Sequence, residues 1–189
     1  ELVRVDDRTS VWAESFDTPM DDIFGVQTRI AGRVIDAMGV VLVGDEGAMV
    51  AARPTENQEA YRAYLRGMDF LRRQPMRDRA EAEFQEAVDL DPDFAFAWAG
   101  LSRAHSWRYH DGEQTEARRR NALAAAEEAV RLAPTAPETR MALVLYHYRC
   151  YRDYDRALAE LDRVLAVQPN STEALAWKAT INKRRGHFD

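Results

Sequence analysis

Ala80–Pro92 reads AEAEFQEAVDLDP, Ala122–Pro134 reads ALAAAEEAVRLAP, and Ala157–Pro169 reads ALAELDRVLAVQP. Aligned, the three stretches carry one pattern: Ala80, Phe84, Ala87 and Pro92, then Ala122, Ala126, Ala129 and Pro134, then Ala157, Leu161, Val164 and Pro169. Small and apolar residues at i, i+4 and i+7 form one stripe of an α-helix, and the proline falls where a helix must stop. The copies start 42 and 35 residues apart, a period that stacks helical hairpins in an array rather than closing a single core. The fold expected is therefore mainly α, a helical-hairpin solenoid, which presents a binding surface more readily than an active site.

Outward from these stretches, everything from Thr55 to the end alternates helix and turn. Thr55 and Gln58 have the spacing of a capping box, and the helix they open should run to about Arg73, where Gln74-Pro75 ends it. Its partner should run from about Asp78 to Leu90, and a third helix from beyond Asp93 to about Tyr109, with HDGEQ as the turn. The returning helix holds the second stripe. Thr135 and Glu138 suggest another capping box for a helix reaching about Cys150, which the Tyr154–Val167 helix should pair with. A last helix, Thr172–Arg185, has no partner following it.

The front is different. ELVRVDDRTSVWAESF (1–16) alternates on either side of a polar turn and predicts a β-hairpin. Asp21 and Asp22 suit a helix N-terminus, Ile23, Val26, Ile30, Val34 and Met38 step along one face, and Gly39 can end the helix. Val40–Val43 then reads as a short buried strand. This β-β-α-β set, 1–43, is expected to be the later part of a small α/β domain; 44–54 reads as a linker and 55–189 as the array. The whole reads as a fragment of something longer.

Composition sets bounds on function. With 189 residues and 46% apolar content the chain can bury a real core. A net charge of -6 argues against sequence-independent nucleic-acid binding, which needs a basic face. The basic residues are 24 Arg against 2 Lys, and Arg brings bidentate pairing and aromatic stacking. Cys150 stands alone, so no intrachain disulfide can form. No run of apolar residues is long enough to span a bilayer as a helix. Asp89, Asp91 and Asp93 mimic the start of a calcium loop, but Phe94 and Gly100 stand where Gly and Glu are required. His105, His110, Asp111 and Glu113 match no ligand spacing and read as a solvated loop flanked by histidines. Cys150 has no evident base, and the carboxylates paired along the helices sit among arginines as solvated faces. No catalytic constellation emerges, and no cofactor or metal is expected.

With period and stripe in place, the residue types resemble the tetratricopeptide repeat (TPR) family, whose 34-residue unit carries Leu-Gly, Tyr, Ala, Phe, Ala and Pro at set positions. The second helices match well; in the first helices Gly67, Phe70, Trp98, Leu101 and Leu143 fit, and Leu175, Ala179 and Gly186 fall near positions of a fourth unit. The repeats would be about 57–93, 94–135, 136–170 and a partial 171–189, three and a half in all. The second has about eight extra residues between Ala104 and Arg118, so its helices should be longer or its loop wider.

What the TPR resemblance implies is a concave face lined by the first helix of each pair. Its groove positions here would be Tyr61, Tyr64, Met68 and Arg72, then Phe96, Arg103 and Trp107, then Met141, Leu145, Tyr148 and Arg149, and finally Thr180, Lys183 and Arg184. Aromatic and Met anchors rimmed by Arg are hot-spot residue types, and Arg72, Arg103, Arg149, Lys183 and Arg184 would favour an acidic peptide or protein segment.

A second resemblance covers the front. Trp12, Phe16, Asp22, Ile23, Phe24 and Gln27 are similar to the end of a TolB amino-terminal-like α/β domain, as found ahead of TPR arrays in bacterial signalling proteins. In such proteins the attached effector is a nucleotide (adenylate) cyclase, a winged-helix regulator or a Ser/Thr kinase, in cytoplasmic or extracytoplasmic settings. The function expected is a non-catalytic protein–protein interaction scaffold. The alternative is a dimerisation and spacing device without a peptide ligand, a homodimer formed through the last helix (Leu175, Trp177, Ala179, Ile181) or the N-terminal strand edge.

Overall fold

The computed structural model describes residues 2–3, 6, 8–12, 23–38, 54–73 and 76–186. The chain divides into two units, 1–58 and 59–189. In the first, strands β1 (Leu2–Val3) and β2 (Ser10–Trp12) pair antiparallel, Leu2 opposite Trp12 and Val3 opposite Ser10, with a bulge between. Helix α1 covers Ile23–Met38, as the apolar stepping predicts. The strand expected at 40–43, the linker to 53, and Phe16 and Asp22 lie outside the described residues.

The second unit is helical throughout its described residues: α2 (Gln58–Arg72), α3 (Arg77–Leu90), α4 (Ala95–His110), α5 (Glu116–Leu132), α6 (Pro137–Tyr146), α7 (Tyr154–Val167) and α8 (Thr172–Arg185). Helix α6 continues into a π-helical segment, His147–Tyr151. Packing follows chain order: α3 on α4, α4 on α5 and α6, α5 on α6, α6 on α7, α7 on α8. That succession is an all-α solenoid's pattern, each element touching its near neighbours.

The quoted stripes explain it. They fall on α3, α5 and α7, and all nine stripe residues, from Ala80, Phe84 and Ala87 to Ala157, Leu161 and Val164, are at most 1% exposed. Each of these helices also closes alike: the backbone N–H of Asp91, Ala133 and Gln168 donates to the carbonyl of the third stripe residue, Ala87, Ala129 and Val164. Pro92, Pro134 and Pro169 then stand in the turns. Phe84 occupies a slot between two glycines. A Cβ built at Gly67 would lie 2.8 Å from its ring, and one at Gly100 only 2.6 Å from Cδ1, so the first helices α2 and α4 approach Phe84 as closely as they do because neither has a side chain there. Trp98 anchors the next turn, its Nε1 donating to the Pro92 carbonyl at 2.8 Å.

The extra residues of the second hairpin lengthen both helices, to 16 and 17 residues. Their end is held by charge. Glu81 on α3 accepts from Arg108 at 2.8 Å and Arg118 at 2.7 Å, and Glu113 in the turn accepts from the same two arginines. His105 belongs to this network and not to a solvated loop: it is buried on α4, and its Nδ1 accepts from Arg118 at 2.8 Å.

Thr55 Oγ1 accepts from the N–H of Asn57. The capping box expected of Thr135 and Glu138 does not form. Helix α6 starts with Pro137 behind the N-cap Ala136, a position where the missing N–H of proline costs nothing, no side chain caps it, and the Thr139 hydroxyl instead ties the turn by donating to the Ala133 and Ala136 carbonyls. The side-chain caps that do form are Thr115, Asp153 and Ser171.

Candidate functional site

The first helices α2, α4, α6 and α8, with the π segment that continues α6, carry the fourteen groove candidates, and the structure sorts them. Tyr61, Met141 and Leu145 are buried; Met141 belongs to a core shared with Val144, Leu161 and Ile181. These three pack the array instead of lining an open groove, because consecutive first helices press against one another along this face. Tyr64 is half-buried on Phe84 and Phe94, ring centroids 5.9 and 5.1 Å away, and burial raises its phenol to about 12. Met68 and Phe96 are half-buried, and Arg72, Thr180, Lys183 and Arg184 are exposed. Arg103 is engaged: it donates to Glu173 at 2.8 Å, joining α4 to α8. Beside that pair lies only a recess of about 60 Å³.

Tyr148, Arg149 and Arg184 come together. They line a cavity of about 320 Å³ walled by α4, the α4–α5 turn at Gln114, the π segment, α7 and α8. Its guanidinium groups are Arg149, Arg152 and Arg184, and among the described residues no carboxylate lines it. Its phenols are Tyr109, Tyr148, Tyr151 and Tyr154, with His110 beside them. Arg152 stands at the exit of the π segment with φ 54° and ψ 31°, left-handed backbone that is strained for a residue with a Cβ.

Arg149 is the buried member, 8% exposed. Its guanidinium carbon lies 3.1 Å from the centre of the Trp107 ring, and that of Arg77 lies 3.7 Å from the same centre. Two cations fit so close to one indole only on opposite faces, so Trp107 is held between them. Arg77 has a counter-ion, Asp111. For Arg149 burial lowers the guanidinium to about 10, with Tyr148 acting against the drop and Arg77 adding to it. His110 is also held below its ordinary range, by burial first and then by Arg149.

The remaining chemistry is structural. Cys150 is buried, and burial raises its thiol to about 11, so it stays protonated at neutral pH. Asp91 closes the α3–α4 turn by accepting from the N–H of Asp93. Among the described residues, no group of three or more His, Cys, Asp or Glu is placed to hold a metal ion, and no helix is long and apolar enough to cross a membrane. Of the residues expected on an uncovered face of α8, Ile181 is buried within the chain and Trp177 half-buried, while Ala179 is exposed and Leu175 stays 47% exposed.

The cavity could not have been assembled from spacing alone, since its walls come from four helices. A local signal exists in Arg149-Cys150-Tyr151-Arg152, two arginines and an aromatic bunched at a helix end. No family model matches the chain. It is 29% identical over 94 residues to a protein of Rhizobium meliloti (strain 1021) named "Putative adenylate cyclase 3". The match covers 49% of this chain and 16% of that relative, so the chain spans a small part of the protein it is similar to.

Proposed function

We propose that residues 55–189 are a tetratricopeptide-type array working as a non-catalytic docking module. It would be the regulatory or partner-recruiting part of a larger bacterial signalling protein, with residues 1–43 the end of a TolB amino-terminal-like domain. The observation that carries this reading is the identical burial of the three stripes, all nine residues at most 1% exposed on successive second helices. Such repetition builds an extended surface and not a pocketed enzyme core. The 35-residue step between the second and third copies also fits: it exceeds the 34-residue unit by one, and a π segment takes in one residue more per turn than an α-helix. Similarity to a short part of a protein named as an adenylate cyclase supports a signalling setting with the effector elsewhere.

The docking face keeps Met68 and Phe96 as partly exposed anchors and Arg72 and Lys183 as exposed charges. Arg103, tied to Glu173, is removed from it. The partner expected is an acidic segment with apolar residues between the charges. The test compares the chain with Arg72→Glu/Lys183→Glu, checked by circular dichroism for equal helicity. Capture of one protein from a bacterial lysate, its loss in the variant, and rebinding of its purified acidic segment are expected together. Equal capture by both, or self-association alone, would replace docking with dimerisation.

A further inference from the structure

We infer that the cavity beside the π segment binds the phosphate group of a small phosphate monoester, with Arg149, Arg152 and Arg184 as its counter-charges. Three groove candidates, Tyr148, Arg149 and Arg184, line this site, but the inference does not depend on the docking reading.

The first argument is the state of Arg149. Arg77, Arg103 and Arg119 share with it a buried Nε that meets no acceptor among the described residues. Each of those three nonetheless places its terminal nitrogens on a carboxylate, Asp111, Glu173 and Glu116 respectively. Arg149 is more buried than any of them and, among the described residues, has neither ion pair nor hydrogen bond; aromatic rings are its direct contacts, and Asp111, paired with Arg77, acts on it only from beyond ion-pair distance. A buried cation without a counter-ion is costly, and stacking on indole offsets part of that cost. A stacked guanidinium has its face occupied and its in-plane N–H edge free for a bidentate acceptor.

The second argument is the cavity itself. Arg149 lines it, and the two other cations, Arg152 and Arg184, converge there without a carboxylate among the walls. Three positive charges match a dianion better than a monoanion, and a phosphate monoester carries a charge of about -1.5 to -2 near neutral pH. At about 320 Å³ the space lies at the lower end of small-ligand pockets. Phenols can donate to the remaining phosphate oxygens and offer ring faces to the body of the ester. The walls are set by a π segment ending in a left-handed arginine, local strain of the kind found at ligand sites.

The experiment titrates the purified chain with inorganic phosphate and with phenyl phosphate, sodium chloride holding ionic strength constant. Melting temperature and the chain's intrinsic tryptophan fluorescence, to which Trp107 and Trp177 beside Arg149 contribute, are followed. Saturable changes in both are expected, phenyl phosphate the tighter, with dissociation constants on the order of 1 mM or below. Arg149→Gln should weaken binding about tenfold or more. Because that change sits in the core, Arg184→Gln and Arg152→Gly, both exposed, are tested beside it and should weaken binding several-fold while melting like the parent or higher. No saturable response in the parent would overturn the inference. So would a response reproduced by acetate or citrate, or one left intact in Arg152→Gly and Arg184→Gln.

Discussion

Replacing Gly100 with alanine puts a methyl group where the structure has the Phe84 ring. In an unhindered helix interior this change stabilises by about 1 kcal/mol, because alanine is the better helix former. Here the new Cβ would stand 2.6 Å from Cδ1 and 2.8 Å from Cζ of Phe84, about 1 Å inside normal carbon contact. The ring cannot retreat: Phe84 is fully buried, and Gly67 grips it on the other helix with a would-be Cβ at 2.8 Å. With the ring held on both sides, the overpacking cost should fall in the upper part of its range, about 2–3 kcal/mol, so the net effect should be a loss of about 1–2 kcal/mol.

The assay is urea unfolding followed by far-ultraviolet circular dichroism, on Gly100→Ala, Phe84→Leu and the double variant. Phe84→Leu alone should destabilise by leaving a cavity. In the double variant the shorter side chain makes room for the methyl group, so the two losses should add to less than their sum by about 1 kcal/mol or more. A parent-like or raised midpoint for Gly100→Ala, or strict additivity, would refute the claim that α2 and α4 are held at their spacing by this ring.

The other expectations concern charge and the array's end. Glu81→Gln, which removes one of the two carboxylates shared by the partly buried Arg108 and Arg118 and leaves them Glu113 alone, should cost about 1–3 kcal/mol by urea unfolding; Glu83→Gln, breaking the exposed pair with Arg66, should cost about 0.5 kcal/mol or less. His105, His110 and His147 are all held below the ordinary histidine range, burial first in each case. The unfolded chain then takes up protons before the fold does, so stability is full above a pH of about 6.5 and falls below it, by at most about 1.4 kcal/mol per pH unit per histidine; unfolding midpoints unchanged between a pH of about 7.5 and 5.5 would contradict this sign. Arg152→Gly relieves left-handed strain and should raise stability by about 0.5–1 kcal/mol in the same assay. Ile181→Ala empties a fully buried site on α8 and should fray that helix first, seen as faster amide exchange in 172–185 than in 95–132.

What the sequence reveals about this fold and what it hides have different physical origins. The stripes are legible because each repeat makes the same contact with its neighbour, so Ala80, Ala122 and Ala157 meet one steric demand and share one spacing. The groove is less legible because a first helix serves two masters: Met141 and Leu145 occupy positions that could face a ligand, and neighbouring helices take them instead. Thr135 and Glu138 imitate a cap that Pro137 pre-empts, a local competition visible only once the helix start is known. Arg149 is harder still. Its isolation from carboxylates depends on Arg77 from α3 having claimed Asp111, and on Trp107 from α4 standing between the two arginines. No spacing rule within one helix encodes that meeting. On the proposed tetratricopeptide reading a trace lies in the period: the step of 35 residues would be one longer than that family's 34-residue unit, and the π turn that could absorb the surplus is the segment whose side chains wall the cavity. On that reading a single surplus residue connects a count made on the sequence to Arg149, a buried arginine that, among the described residues, makes no ion pair or side-chain hydrogen bond.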